Sequence, residues 1–170
     1  MFGRPFDSGT LGGDAVEEVG LLGREPNEQG GALFDHEVGV SREELAERYE
    51  LSAGDYLIFD CGMEPADTDR YLRNFVYPEK GAAEYMVERD IACFAIDALS
   101  ADKPGAELEE HHVHYTLLPE DILIIEGVTT LEAVSAGRYD VIATPIPYEN
   151  RDGSQIRLLV RPQDCLPTGT

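Results

Sequence analysis

Residues 111–131 read HHVHYTLLPEDILIIEGVTTL, and this stretch decides the expected fold. Its apolar run, Ile122 to Ile125, is continuous and rich in β-branched residues, and it lies between Pro119 and Gly127. That pattern is typical of a strand buried on both faces of a sheet. The strand leaves Glu126 at its carboxyl end, where open α/β sheets position their ligands. We therefore expect an α/β fold with Glu126 at the functional edge of the sheet.

His114 precedes this strand and Glu126 follows it, which gives the stretch two possible metal ligands. Neutral imidazole and carboxylate both bind zinc or manganese in proteins. Two ligands do not complete a site, however. The same residues also fit a surface histidine followed by a carboxylate at the start of the next helix. The residues alone leave both interpretations open.

The chain is strongly acidic. Among its 170 residues, 34 Asp and Glu outnumber 13 Lys and Arg, which gives a formal net charge of -21. The acids are spread along the chain rather than gathered in a tail. Such an even distribution of acidic residues is typical of a surface adapted to high salt, where screening removes the repulsion between like charges. We therefore expect a halophilic, cytoplasmic protein, with neither nucleic acid nor an anionic membrane as a partner.

The three cysteines, Cys61, Cys93 and Cys165, are far apart and form no C-x-x-C pair. Cys61 and Cys93 lie at or within apolar runs, which favours buried free thiols over a disulfide. No stretch approaches the ~20 apolar residues of a membrane span. The first residues also lack the basic and apolar regions of a signal peptide.

The remaining elements alternate between strands and helices. Ser41 and Glu44 form a capping box that opens a helix to about Glu50. A strand over 56–61, a helix over 81–89 and a strand over 91–97 form a unit whose two strands should be parallel. Further short elements are expected at 32–35, 130–135, 139–145 and 155–160.

Together, these strands and helices predict a single α/β domain over residues 32–170, with a mixed sheet and a few helices. Residues 1–31 are rich in glycine and are expected to be poorly ordered or to wrap the core. Within them, only residues 15–22 predict a helical turn or two.

Several short blocks between Gly54 and Pro162 match known motifs in a fixed order. The blocks and their motifs are Gly54-Asp55-Tyr56-Leu57-Ile58 (G-D-x-v-L-i), Ala82-Ala83-Glu84-Tyr85-Met86 (A-A-x-W-L), Ile96-Asp97 with Ser100 (i-D-x-x-S), His114 with Leu117-Leu118, Glu126-Gly127 and Leu131 (H-x-x-L-L, then i-i-E-n-l-x-n-L), and Asp152-Gly153-Ser154 with Arg157 (d-G-s-p-x-R). Together they resemble the cyclase family of metal-dependent hydrolases, which includes bacterial kynurenine formamidase and isatin hydrolase.

The resemblance implies a compact α/β fold of the swivelling type and a site for usually two metal ions, often zinc or manganese. In that family the residues matching His114 and Glu126 ligate the second metal. The implied activity is hydrolysis of amide, lactam or lactone bonds, arylformamidase-like, converting N-formylkynurenine to kynurenine and formate in tryptophan catabolism. The implied partners are a small-molecule amide or lactam substrate and further copies of the chain in a homo-oligomer. His111 and His112 have no family counterpart and are expected to face solvent, although one of them is a candidate substitute ligand.

The family signature H-x-G-T-H-x-D-x-P, which supplies ligands of the first metal, is not found in this sequence. In the nearest stretch, Asp7 and Leu11 stand at the histidine positions, and Asp14 fits only after a slip of one residue. Metal binding is therefore expected to be weak or absent if the motif is truly missing. Asp7, Asp14 and the His111–His112 pair are the remaining candidate ligands.

Two functions follow from these observations. One is the hydrolase. The other is a truncated or degenerate paralogue that keeps the fold but not the chemistry, and acts as a binding or oligomer subunit. An intact signature in the reading frame upstream of Met1 would favour the hydrolase.

Overall fold

A computed structural model describes residues 19–22, 39–63, 75–135 and 137–162 of the chain, and a parallel sheet forms its centre. The strands are β1 (Val19–Leu22), β2 (Gly39–Val40), β3 (Tyr56–Phe59), β4 (Tyr77–Pro78), β5 (Cys93–Ile96), β6 (Leu123–Ile125), β7 (Tyr139–Pro145) and β8 (Ile156–Pro162). The central sheet has the order β1-β3-β5-β6, and every neighbouring pair in it is parallel. β2 pairs with β4 in parallel, and β7 pairs with β8 in an antiparallel hairpin.

Three α-helices accompany these strands within the described ranges. They are α1 (Arg42–Arg48), α2 (Lys80–Glu88) and α3 (His112–Leu117), with short 3-10 turns at Leu108–Glu110, Leu118–Glu120 and Leu131–Ala133. The predicted capping box of α1 is confirmed. The Glu44 backbone N–H donates to Ser41 Oγ at 3.2 Å, and the Ser41 N–H donates to the Glu44 carboxylate at 3.0 Å. None of the helices in these ranges has the length and apolar content needed to cross a bilayer.

The central sheet separates two hydrophobic clusters, because successive side chains of a strand point to opposite faces. Leu57, Phe59, Phe94 and Ile96 belong to a cluster with buried residues of the three helices. On the other side, strand residues such as Ile58 and Ala95 pack with the β7–β8 hairpin. The predicted α/β class is confirmed, with its parallel and antiparallel strands in separate sheets.

Two predictions about individual elements are wrong. β6 is not buried on both faces, since Leu123 is 50% exposed. Among the described strands β6 pairs only with β5, so it forms an edge of the sheet. Val19–Leu22 is a strand rather than helical turns, because pairing with β3 outweighs the local preference of a short segment.

Of the remaining predictions, some are confirmed and others concern residues that the structure does not describe. Cys61 and Cys93 are buried and not joined in a disulfide within the described ranges, as predicted, whereas Cys165 and the strand predicted at 32–35 lie outside those ranges. The parallel pairing of β3 with β5 is also confirmed. The proposed boundary at residue 31 remains a prediction.

A buried carboxylate ties the ends of β3 and β5 together. Asp97 follows β5 and accepts hydrogen bonds from the backbone N–H groups of Cys61 at 3.0 Å and Met63 at 2.8 Å. Burial raises the pKa of Asp97 to about 6, and the two hydrogen bonds oppose that rise. Asp97 therefore fixes the segment after β3 against the carboxyl edge of the sheet.

The raised pKa of Asp97 predicts a specific pH dependence of stability. The folded chain holds a proton that the unfolded chain releases above its ordinary pKa of 3.8, so this stabilisation is present at low pH and is lost as the pH rises through about 6. Asp97→Asn removes the titration. The wild-type free energy of unfolding should therefore fall by about 1 kcal/mol more than that of the variant between about pH 5 and 7.

Urea unfolding at several pH values measures this difference. Asp152→Asn, at an exposed position, is the control and should follow the wild type. Parallel pH curves for wild type and Asp97→Asn would show that Asp97 does not titrate in this range.

Candidate metal site

The candidate site lies at the carboxyl edge of the central sheet, where the turn after β5 meets the end of β6. The N–H of Gly127 donates to the carbonyl of Ala98 at 2.9 Å, and the N–H of Val128 donates to the carbonyl of Ile96 at 3.0 Å. These bonds hold the segment containing Glu126 beside the end of β5. Helix α3 contributes His114 to the same edge.

The structure brings His114 and Glu126 together. His114 Nε2 lies 3.5 Å from Glu126 Oε1, and both side chains are about one-third exposed. The backbone N–H of Ala101 donates to Glu126 Oε1 at 2.7 Å, which fixes the carboxylate. Two ligands placed about 2.1 Å from one tetrahedral ion are about 3.4 Å apart. The observed spacing therefore fits a pair of ligands for one ion.

Asp102 holds the opposite side of the His114 ring. Its side chain is only 3% exposed, and its Oδ2 lies 2.5 Å from His114 Nδ1. Its Oδ1 accepts a hydrogen bond from the backbone N–H of Val113 at 2.7 Å. Protein histidines that bind metals through one ring nitrogen commonly donate the other N–H to a carboxylate, which fixes the tautomer and the ring orientation. Asp102 thus presents Nε2 of His114 to Glu126.

The charges of the site reinforce this arrangement. The hydrogen bond to Asp102 raises the pKa of His114, burial opposes the rise, and the negative charges of Glu126 and Asp102 add to it. Burial alone would raise the pKa of Asp102, but hydrogen bonds from His114 and Val113 outweigh it and lower that pKa. Asp102 is therefore charged, and His114 retains its proton to higher pH than an ordinary histidine.

A second grouping of possible ligands surrounds Asp102. His111 Nδ1 lies 3.9 Å from Asp102 Oδ2, and possible ligand atoms of Asp102, His111 and His114 lie within 4.8 Å of one another. The 2.5 Å contact between Asp102 and His114 is a hydrogen bond, shorter than the separation of two ligands on one ion. In this conformation an ion therefore fits the Nε2 side of His114 better. His112 is exposed and does not belong to this group.

Sequence reasoning identified His114 and Glu126 but missed Asp102. Asp102 lies in an irregular turn, where no periodicity marks a residue as buried. The Ile96–Ser100 motif, just before Asp102 in the sequence, could have drawn attention to this turn. In the structure, Ser100 Oγ accepts a hydrogen bond from the backbone N–H of Asp102 at 3.2 Å. The candidates Asp7 and Asp14 lie outside the described residues.

Comparison with solved structures supports the fold. An isatin hydrolase bound to the product analogue thioisatinate has a TM-score of 0.71 at 20% identity, covering 86% of this chain and 60% of that one. A predicted metal-dependent hydrolase from Bacillus stearothermophilus has a TM-score of 0.61 at 23% identity, covering 85% of this chain and 63% of that one.

Comparison of sequences agrees with these structures. A family model described as a putative cyclase matches residues 31–103. The chain is therefore similar to the cyclase family over this part of its length. Among its cyclase relatives, the kynurenine formamidase of Bacillus cereus is 36% identical over 81 residues, covering 47% of this chain and 37% of the relative. The kynurenine formamidase of Bordetella petrii is 28% identical over 99 residues, covering 58% of this chain and 46% of the relative.

The match to the cyclase model does not include the two proposed metal ligands. The family model ends at residue 103, before His114 and Glu126. The chain also spans less than half the length of these two curated relatives, at 37% and 46%. The metal-binding role of the two residues therefore remains a prediction that the geometry supports.

The contact with Asp102 predicts how His114 titrates in the metal-free chain. Its pKa should lie above the ordinary 6.5, and Asp102→Asn should lower it, because the main cause of the rise is removed. The stabilisation that the wild-type pair contributes is full below about pH 6.5 and is lost as the pH rises through the raised pKa.

Imidazole chemical shifts in an NMR pH titration measure this pKa. Glu120→Gln, an exposed change near the same helix, is the control and should leave the His114 curve unchanged. An unchanged curve in Asp102→Asn would show that the short contact has no influence on the ring.

Proposed function

We propose that this chain is a cyclase-family, metal-dependent hydrolase of amide, lactam or lactone bonds, arylformamidase-like, in which His114 and Glu126 hold a divalent cation. The observation that carries the proposal is the 3.5 Å separation of His114 Nε2 and Glu126 Oε1. Relatives named kynurenine formamidase and isatin hydrolase support the class of bond. N-formylkynurenine is the proposed substrate.

The donor set suits zinc or manganese, because it combines an imidazole nitrogen with a carboxylate oxygen. When bound, the cation would supply the Lewis-acid chemistry that metal-dependent hydrolases use. Catalytic zinc sites have three protein ligands and keep one position open, so His114 and Glu126 would supply two of the three.

The chain's own residues prepare the site before a cation arrives. In the neutral form of His114, a proton on Nδ1 bonded to Asp102 leaves the lone pair of Nε2 on the side of Glu126. The Ala101 N–H fixes the Glu126 carboxylate, and the backbone bonds between the ends of β5 and β6 hold both groups. Such positioning reduces the entropy that binding would otherwise cost.

The alternative is a paralogue that keeps the fold without the chemistry. Asp7 and Leu11, at the histidine positions of the family signature, favour it. On that alternative the chain acts as a binding or oligomer subunit, and the cation binds weakly.

The setting of the protein is also part of the proposal. The net charge of -21 supports a halophilic, cytoplasmic protein. Ile142 and Leu159, opposite each other on the hairpin and 60% and 51% exposed, support assembly with further copies of the chain.

Cation binding and hydrolysis together test the proposed function. Zinc or manganese is titrated into the metal-free chain by calorimetry, and hydrolysis of N-formylkynurenine is then assayed with each metal. His114→Ala and Glu126→Gln should each weaken binding at least about tenfold, because each removes a ligand. Glu120→Gln should leave binding unchanged.

The outcomes of this experiment separate the alternatives. Binding with hydrolysis supports the enzyme. Binding without hydrolysis supports the non-catalytic paralogue. Cation binding that neither substitution weakens would refute the assignment of these two ligands.

Asp102→Asn tests the positioning of His114. The substitution leaves His114 and Glu126 in place but removes the carboxylate that orients the ring, so cation affinity should fall about 10–100-fold. The same calorimetric titration measures the change. Unaltered affinity would show that the imidazole does not need Asp102 to bind the cation.

A further inference from the structure

An open groove of about 950 Å³ lies between the segment after β6 and the β7–β8 hairpin. Glu126 is one of its lining residues, whereas His114 and Asp102 are not. Its apolar lining includes Val128, Leu131, Val134, Ile156 and Leu158. The volume lies at the upper end of the range of about 300–1,000 Å³ typical of small-molecule sites.

The charge of the groove differs from that of the whole chain. Two arginines, Arg151 and Arg157, line it, and Glu126 is the only carboxylate among the described residues of the lining. The chain as a whole has a formal net charge of -21. Basic side chains therefore outnumber acidic ones along the groove, although acidic residues dominate the chain as a whole.

The guanidinium groups of both groove arginines have no hydrogen bond or ion pair with the described residues, unlike those of the other arginines in the same ranges. Those others bond to carboxylates or backbone carbonyls or make a further contact: Arg42 to Glu88, Arg89 to Leu51, Arg138 to Asp55, Arg161 to Asp140, and Arg48. A guanidinium offers five N–H donors in a planar fork that matches a carboxylate. An arginine side chain without a protein acceptor is therefore suited to an anionic ligand.

Of the two, Arg151 is placed better for direct contact. Successive side chains of a strand point to opposite faces, so Arg157 leaves β8 on the face opposite to Ile156 and Leu158. Arg151 instead lies in the connection between β7 and β8. Its acidic neighbour Asp152 is exposed and does not line the groove.

We propose that this groove binds a small apolar molecule through a carboxylate on Arg151, with the apolar residues around the body of the molecule. The inference deepens the proposed function and rests on it in one respect. Since Glu126 belongs to both places, Arg151 would hold the separate carboxylate of an amide or lactam substrate while the bond to be cleaved lies near Glu126.

Two fluorescent probes of nearly equal shape test the charge preference. Naphthoate carries a carboxylate, whereas naphthamide is neutral, and both are flat and apolar. They are titrated into the metal-free chain at an ionic strength of about 0.15 M, where charges more than about 8 Å away are largely screened. Naphthoate should bind at least about tenfold more tightly. Equal affinities, or no binding of naphthoate, would overturn the proposal.

Substitutions then assign the contact. Arg151→Gln should weaken naphthoate binding about tenfold and leave naphthamide binding unchanged, and Arg151→Lys should retain part of the preference. Lys80→Gln removes a positive charge from an exposed position on α2 and should have no effect. Equal weakening by Arg151→Gln and Lys80→Gln would reduce the effect to overall charge and refute the contact.

Because the probe experiment needs neither metal nor hydrolysis, its outcome is separate from that of the proposed function. Selective naphthoate binding by a chain that neither binds metal nor hydrolyses N-formylkynurenine would uphold the groove and refute the hydrolase. Hydrolysis by a chain that binds both probes equally would do the reverse.

Discussion

The hydrogen bond between Asp102 and His114 is the interaction on which the arrangement of the site depends. A carboxylate as buried as Asp102 is costly unless it is hydrogen-bonded. Val113 and His114 both supply donors, so the need to satisfy Asp102 fixes the first turn of α3 as well as the ring. The same bond turns Nε2 towards Glu126. Burial of one carboxylate thus determines the orientation of the imidazole.

The features predictable from the sequence were those set by local pattern. The capping box at Ser41 and the strands β3 and β5 depend on runs of neighbouring residues, and the structure agrees with both. Glu126 was placed at the end of a strand for the same reason. The exposure of Leu123 and the burial of Asp102 depend instead on what packs against them, which no local pattern records.

Arginine in this acidic chain serves largely as an internal partner. Arg138 contacts the buried carboxylate of Asp55 at 3.2 Å and donates to the carbonyl of Glu50, which links the region before β7 to the segment before β3. Arg161 pairs with the buried Asp140 across the hairpin. Salt screens such partly buried pairs less than fully exposed ones. These contacts should therefore persist at high ionic strength.

The all-parallel order of the central sheet also affects how the chain reaches its folded state. Parallel neighbours require long connections, so strand pairing here is non-local and intrinsically slow. The hydrogen bond from Ala101 to Glu126, in contrast, joins residues only 25 positions apart in the sequence. Closing that shorter loop costs less chain entropy. Since synthesis proceeds from the N-terminus, β1, β3 and β5 emerge from the ribosome before Glu126 does. Glu126 can therefore meet His114 only after β6, the last strand of this sheet in chain order among the described residues, has been synthesised.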